Sequence, residues 1–455
     1  MSKLPFSTRL SYAAPDVGGQ LIFCVISFYL LKFYTDVYGI SAAAAGTILL
    51  VARTLDAIDA PVWGVIFDRT HSRWGQSRPW FLWLAVPFAV FGVLTFLTPD
   101  LGPTAKIVYA GVTYAACSVL YTGINTPVTS ILPALTPDPR ERVVLTCFRM
   151  FGSKFGVLIV NLTALQLVAW LGQGDDRLGY ARLMPLSAAG SVALFLIAFW
   201  RLREVVPPPR QHVSIRGSFG ALRGNWPWLI IFGSSLFFWI AFIARIATAP
   251  YFFEYVLRRK DLIPLANSLD FISLATVFFL PWLCRWSSKT RVWLAGLAGC
   301  ALGQVILWFG AGAGSLAWIM AGWGLGFLAS GLAMALPFSI LADSVDYGEW
   351  KTGIRAAGLL TAVGAAFCLK AGSGLGGALP AWILEWYHYV PNVEQTAHAL
   401  RGIELSFVWL PAAFYALALV PVFFYGRFEK LEPQIGRELE QRRAEAQMTA
   451  EAGAR

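Results

Sequence analysis

Apolar residues along this chain run in long blocks broken by short polar stretches. The blocks have the length that crosses a hydrocarbon core as helix, about 20 residues each. They predict twelve helices, at about 14 to 37, 44 to 67, 78 to 98, 105 to 131, 145 to 171, 184 to 202, 226 to 256, 262 to 284, 291 to 311, 314 to 341, 355 to 384 and 404 to 426. The longest polar stretch, Arg203 to Asn225, contains Pro207-Pro208-Pro209 and parts the chain into six blocks and six blocks. An internal echo accompanies that division: Pro127-Val128-Thr129-Ser130-Ile131-Leu132 closes the fourth block and Pro337-Phe338-Ser339-Ile340-Leu341 the tenth. Corresponding positions in two halves are what a duplicated membrane protein predicts. The expected organisation is an all-α integral membrane protein with a six-helix bundle at 1–202, a linker at 203–225, a second six-helix bundle at 226–426 and a charged, helix-prone tail at 427–455.

Composition agrees with the pattern. Of 455 residues, 57% are hydrophobic and 14% charged, where soluble proteins carry roughly 45–50% and about 25%. An ordinary cytosolic enzyme is excluded. The net charge of +10 raises nucleic acid as a partner, but such binding needs the basic residues gathered on one solvated patch, and here they are scattered between apolar blocks. Cys24, Cys117, Cys147, Cys284, Cys300 and Cys368 lie in or beside apolar blocks without paired spacing, so neither a disulfide framework nor a structural metal is expected. No cleavable signal peptide is expected, because Lys3 and Arg9 lead into a span-length block. Loops on the side of the N-terminus, together with the tail, hold 23 Lys and Arg against seven on the opposite side. The excess places both termini in the cytoplasm. Arg258-Arg259-Lys260 runs against that pattern.

Six cations remain inside the predicted spans, Lys32, Arg53, Arg149, Lys154, Arg245 and Lys370, accompanied by Asp16, Asp56, Asp59 and Glu254. A charge at mid-bilayer costs at least about 2.5 kcal/mol, so such residues face a bundle interior or line a substrate or ion route. Snorkelling is the expectation for Lys32 and Glu254, which lie near span ends. In span two, Arg53 and Asp56 share a helix face with Ala60, and Asp59 sits to one side of it. Asp56 is then either a neutralised partner of Arg53 or a carboxylate that takes up a cation or proton in one state and pairs with a base in another. In span four, Tyr121, Asn125 and Thr129 form a polar stripe at successive turns. Interhelical hydrogen bonding and cavity lining both account for it. Rings beside hydrogen-bonding groups suit a sugar, whose C–H faces pack on aromatics.

The loop Gly64-Val-Ile-Phe-Asp68-Arg69-Thr-His-Ser-Arg73-Trp74-Gly75-Gln-Ser-Arg78-Pro79 resembles the cytoplasmic signature of the major facilitator superfamily. Phe33-Tyr34-Thr35-Asp36-Val37, Val51-Ala52-Arg53 with Asp56-Ala57-Ile58, Asp346-Tyr347-Gly348-Glu349-Trp350-Lys351-Thr352-Gly353 and Val390-Pro391-Asn392-Val393-Glu394-Gln395 resemble, more narrowly, the glycoside-pentoside-hexuronide:cation symporters. That resemblance runs in order from about residue 9 to 430. It implies the twelve-helix major facilitator fold, alternating access, a sugar-type cargo and H⁺ or Na⁺ as the coupling ion, with no cofactor. It further implies cation coupling at Asp56, Thr122 and Lys370, with Asp59 displaced by one position from the second coupling acid, where Ala60 stands. Arg149 matches a sugar-site arginine and Asp16 an acidic position of the wider family. Gln20 and Asn125 stand where melibiose-carrying members have aspartates, Thr129 and Met334 where they have tryptophans. Asp68, Arg69, Arg73, Arg142, Asp343 and Asp346 match the loops that rearrange during transport.

These departures favour H⁺ over Na⁺, because a hard cation wants several oxygen ligands. Fewer acids around Arg149, with Arg245 in span seven, leave an anionic cargo such as a uronide open beside a neutral glycoside. The expectation is a cation-coupled sugar, glycoside or uronide symporter, acting as a monomer in the plasma membrane, a bacterial inner membrane. An uncoupled carrier, or one for an amphipathic anion such as a lysolipid, is the alternative. A polytopic membrane enzyme is the remote one, for the loop histidines His71, His212, His388 and His398 lack the company that catalysis needs.

Overall fold

The computed structural model describes residues 5–68, 70, 72–136, 139–204, 224–353 and 367–453. The predicted spans are found as helices: α1 Phe6–Lys32, α2 Ala42–Asp68, α3 Arg78–Thr95, α4 Pro103–Ser130, α5 Pro139–Gly172 and α6 Asp176–Arg201. They continue as α7 Trp226–Tyr251, α8 Lys260–Leu280, α9 Lys289–Gly312, α10 Leu316–Thr352, α11 Cys368–Trp386 and α12 Leu410–Gly453. Among the described residues ten helices are long and apolar enough to cross a membrane, and α2 and α11 occupy the places of the second and eleventh predicted spans. The 203–225 linker lies almost wholly outside the described residues, as does the start of the eleventh predicted span. Prolines inside α1, α4, α6, α7 and α11 interrupt none of them, as is common where neighbouring helices satisfy the freed backbone groups.

Three helix ends loosen into π-turns: Phe33–Val37 after α1, Phe252–Val256 after α7 and Leu405–Trp409 before α12. The first two occupy equivalent ends of the first and seventh spans, a second internal echo. Such turns concentrate at functional positions. α8 is broken as well, since a 3₁₀ stretch Leu269–Ile272 separates Ile263–Ser268 from Ser273–Trp286.

The helices pack as two compact units. One holds Met1–Arg210, Phe242–Leu274 and Ser373–Leu410; the other holds Gln211–Ala241, Ala275–Gly372 and Pro411–Arg455. In the first, α1 packs on α5 and α6, α2 on α4, and the opening turns of α8 on α5; in the second, α9 runs against α10. The long α12 reaches Lys289 through Glu432 and Trp350 through Glu438 in that second unit, so the tail is helical and docked.

Candidate functional site

The site begins with how closely α1 and α5 approach. A side chain at Gly152 would stand 3.0 Å from Ala13, and one at Gly156 would stand 2.9 Å from Gln20. Two glycines one turn apart let the helix backbones touch, and small residues are how membrane helices pack tightly. The two helices run parallel in a fixed register, and three polar rungs at a constant separation of 133 residues join them: Asp16 with Arg149, Gln20 with Ser153, and Cys24 with the Val157 carbonyl.

The lowest rung opens into a cavity. Asp16, Gly19, Tyr121, Asn125 and Phe195 line it. Arg149 Nε donates to both oxygens of Asp16 at 3.1 and 2.9 Å, and its Nη2 donates to Asn125 Oδ1 at 3.5 Å. The guanidinium charge is therefore already balanced. Gln20 Nε2 donates to Ser153 Oγ at 3.0 Å. Tyr121 lies flat on Phe23, ring centres 4.2 Å apart. Thr129, the last of the stripe, is exposed, and its hydroxyl donates to the Thr126 carbonyl of its own helix.

Beside the cavity sits the second predicted cluster. Asp56 is 2% exposed. Its Oδ2 accepts from Arg53 at 3.0 Å and its Oδ1 from the Thr122 hydroxyl at 3.1 Å. Arg53 also lies over the Phe23 ring at 4.9 Å and over the Tyr114 ring at 5.9 Å. Asp59 is half-buried on the adjoining face of α2, and Arg245 is fully buried in α7. Lys370 and Met334 are half-buried in the second unit. The structure thus sets Asp16, Tyr121 and Asn125 round one cavity, with Arg149 bonded to Asp16 and Asn125, and Thr122, the neighbour of Tyr121 in α4, donates to Asp56.

Two expectations are corrected. Lys32 does not snorkel: its side chain is 13% exposed and held between Asp36 and Glu254. Glu254 is held in turn, 2.7 Å from Lys32 and 3.9 Å from Lys260. The reason is the Asp36 cluster. Asp36 accepts from Lys32, Thr35, Tyr255 and Tyr389, and Asn392 donates to its backbone carbonyl. The contrary basic run is balanced as well: Arg258 pairs with Glu394, Arg259 with Asp261, and Lys260 with Asp176.

Sequence reading missed Asp270, which sits in the 3₁₀ break of α8 and takes Lys154 on both oxygens at 3.0 and 2.8 Å. The signal was there, a carboxylate inside an apolar span. Glu204 was missed too. It accepts from the backbone N–H groups of Gln76, Ser77 and Arg78, an anion caught where α3 begins and its amides are unpaired. That anchors the loop after α2, in which Arg73 lies over Trp74. Arg69 and the side chains of Asp68 and Arg142 lie outside the described residues. Asp343 pairs with Lys289 at 2.8 Å, and burial pushes its carboxyl up despite that partner. Asp346 is half-buried on the same helix.

Residues 11–426 match the family described as MFS/sugar transport protein. The chain is similar to the isoprimeverose transporter of Lactiplantibacillus pentosus, 40% identical with 98% of this chain and 94% of that one covered. It is also similar to a putative glycoside/cation symporter of Escherichia coli (strain K12), 32% identical with 98% and 97% covered. Among solved structures it resembles a D-xylose-proton symporter in fold, with a TM-score of 0.66, 17% identity and coverage of 92% and 97%. The chain belongs to the MFS/sugar transport protein family and is a membrane transporter with the major facilitator fold.

Proposed function

We propose that the chain couples entry of a neutral sugar or glycoside to entry of a proton by alternating access, with Asp56 as the coupling carboxylate. The observation that carries this reading is the contact of Arg149 Nε with both oxygens of Asp16. A guanidinium alone would recruit an acidic cargo, whereas one neutralised in place offers its remaining N–H groups to hydroxyls. The cargo groups are then Asp16, Gln20, Tyr121, Asn125 and Arg149, with Thr129 and Arg245 at the periphery. The names of the relatives, an isoprimeverose transporter and a glycoside/cation symporter, support cargo of this class.

Proton coupling is supported by the company Asp56 keeps. Its oxygens accept from the Arg53 guanidinium and the Thr122 hydroxyl, and Ala60 stands where a second acid would add ligands. A sodium ion wants five or six oxygens and no cation beside it; a proton needs one carboxylate. A proton arriving on Asp56 releases Arg53, and Lys370 on α11 is the second base of the coupling cycle. Asp59 is a secondary acid. The sequence halves 1–202 and 226–426 are the moving bundles, joined by the 203–225 linker. Asp68, Arg69 and Arg73 at and after the end of α2, Arg142 in the first turn of α5, and Asp343 and Asp346 near the end of α10 rearrange on the cytoplasmic side; the last three lie in helix, not in the loops the resemblance implied. Both termini are cytoplasmic, and one chain in a bacterial inner membrane suffices.

Proteoliposomes test this. Asp56→Asn should abolish accumulation against a gradient while exchange of labelled sugar continues. Accumulation persisting in that variant would reduce Asp56 to a partner of Arg53. Strict Na⁺ dependence of wild-type uptake at constant pH would overturn the choice of ion.

A further inference from the structure

The cargo cavity and the coupling carboxylate are separate, so something must join them. Asp16 and Arg149 meet between α1 and α5, and Arg53 and Asp56 meet on α2. What lies between is a stack of two rings. Phe23 presents one face to Arg53 at 4.9 Å and lies parallel to Tyr121, 5° between the planes, at 4.2 Å. Tyr121 lines the cargo cavity and lies within electrostatic reach of both ion pairs. Its neighbour in the chain, Thr122, donates to Asp56. Gly19 gives the ring its place, because a Cβ there would stand 3.2 Å from Tyr121.

We propose that Phe23 is the positioning residue that carries the charge state of Asp56 to the cargo cavity, through Arg53 on one side and Tyr121 on the other. The proposal rests on the coupled-symport reading above. With Asp56 ionised, Arg53 is shared between the carboxylate and the ring. Once Asp56 is protonated its carboxylate no longer competes, and the aromatic faces of Phe23 and Tyr114 become what holds the guanidinium. The Phe23 plane follows the cation, and Tyr121, stacked on it, changes its angle to the cargo. Other titratable groups near Asp56 are Arg53 and Asp59 on its own helix and Tyr114, Cys117 and Tyr121 on α4, with Asp16 beyond Tyr121. None of those on α4 bears charge at neutral pH, and Asp16→Asn, which removes the acid of the cavity, is the control that assigns the pH dependence to Asp56. A cation–π contact of this kind changes an equilibrium by about 2- to 30-fold, within the range by which two linked sites alter each other's affinity.

The measurement is sugar affinity of purified protein in nanodiscs at acidic and alkaline pH, with the ratio of the two Kd values as the readout. Wild type should show a ratio of about 5 or more. Phe23→Leu should bring the ratio to within twofold of one while still binding sugar, and Phe23→Tyr, which keeps the ring, should retain it. Gly19→Ala gives a second handle, because it moves Tyr121 without removing a ring or a charge; it should lower the ratio part of the way. An unchanged ratio in Phe23→Leu or in Gly19→Ala overturns the ring stack as the link and leaves the symport reading standing. A wild-type ratio of one overturns the coupled reading itself, and the proposal with it.

Discussion

Two ion clusters stand along the first span, Phe6–Val37, one at Asp16 in α1 and one at Asp36 in the π-turn that follows it, and they are built to opposite ends. At Asp36 nearly every acceptor site is occupied: an ammonium, three hydroxyls and a neighbouring asparagine converge on one residue, and they come from both sequence halves. At Asp16 a single guanidinium takes both oxygens and a small cavity adjoins the pair, while Lys32, Asp36 and Glu254 line a larger one whose acidic wall is already bonded. A saturated buried cluster holds segments together, because opening it strands several polar groups in apolar surroundings at once. A sparse one leaves donors and acceptors for a visitor. The same residue type on the same span therefore serves as a clasp in one place and as a binding group in the other.

The comparison breaks most sharply at the clasp. Asp36→Ala leaves Lys32 with Glu254 alone and strips Tyr255 and Tyr389 of their acceptor. Breaking a buried pair costs about 3–5 kcal/mol, so the variant should show a markedly lower Tm and lose transport. Asp16→Ala should keep most of the Tm and lose binding. Thermal unfolding of both purified variants, with and without sugar, separates the two roles. Equal loss of Tm in both would dissolve the distinction between them.

How far the sequence disclosed these clusters depends on what each needed. The spans were legible because their apolar blocks exceed any soluble helix. Asp56 and Arg149 were legible because a charge in such a block demands an explanation. Lys32 was misread, since its position near a span end is compatible with water and only the fold brings Glu254 across more than two hundred residues to meet it. Asp36 stood in view as part of a motif, but its partners Tyr255, Tyr389 and Asn392 come from other loops and have no periodic relation to it. The rungs between α1 and α5 needed the helix register, which Gly152 and Gly156 set by contact and not by local pattern.

Lys154 and Asp270 fall between clasp and binding site. Their pair joins α5 to the broken α8 within the first unit. Asp270→Asn keeps one acceptor for Lys154 but removes its countercharge, so the expected cost is smaller than at Asp36, about 2–3 kcal/mol. The double variant Lys154→Met with Asp270→Leu should recover most of that stability, because replacing both partners of a buried pair by apolar groups is often neutral. Should transport also return, the pair is packing alone. Stability without transport gives the pair a part in the transport cycle.

Asp16 can be turned into the opposite kind of site. Asp16→Asn frees the Arg149 charge while retaining an oxygen near it. A charge-assisted hydrogen bond contributes about 1.5–3 kcal/mol, so affinity for a glucuronide should rise relative to the matched glucoside by about tenfold or more. Removing both charges together, Asp16→Asn with Arg149→Ala, should weaken glucoside and glucuronide alike, since in wild type the two balance each other. A glucuronide preferred by wild type and lost selectively in that double variant would restore the anionic cargo.

Asn125 is the smallest test and the one that reads the cavity most directly. Its Oδ1 lies 3.5 Å from Arg149 Nη2, at the outer limit of a hydrogen bond. Removing it therefore leaves the ion pair of Asp16 and Arg149 intact and should not move the Tm. What is lost is one amide that can both donate to and accept from a sugar hydroxyl. A neutral hydrogen bond contributes about 0.5–1.5 kcal/mol, so Asn125→Ala should raise the Kd for a neutral sugar roughly tenfold at most. Asn125→Asp is the sharper arm. It adds a second carboxylate beside Arg149, giving the cavity a net negative charge, and should disfavour a glucuronide further while leaving a glucoside within a few-fold of wild type. Titrating both ligands against both variants decides whether Asn125 faces cargo, because a residue that only supported Arg149 would alter the two ligands equally.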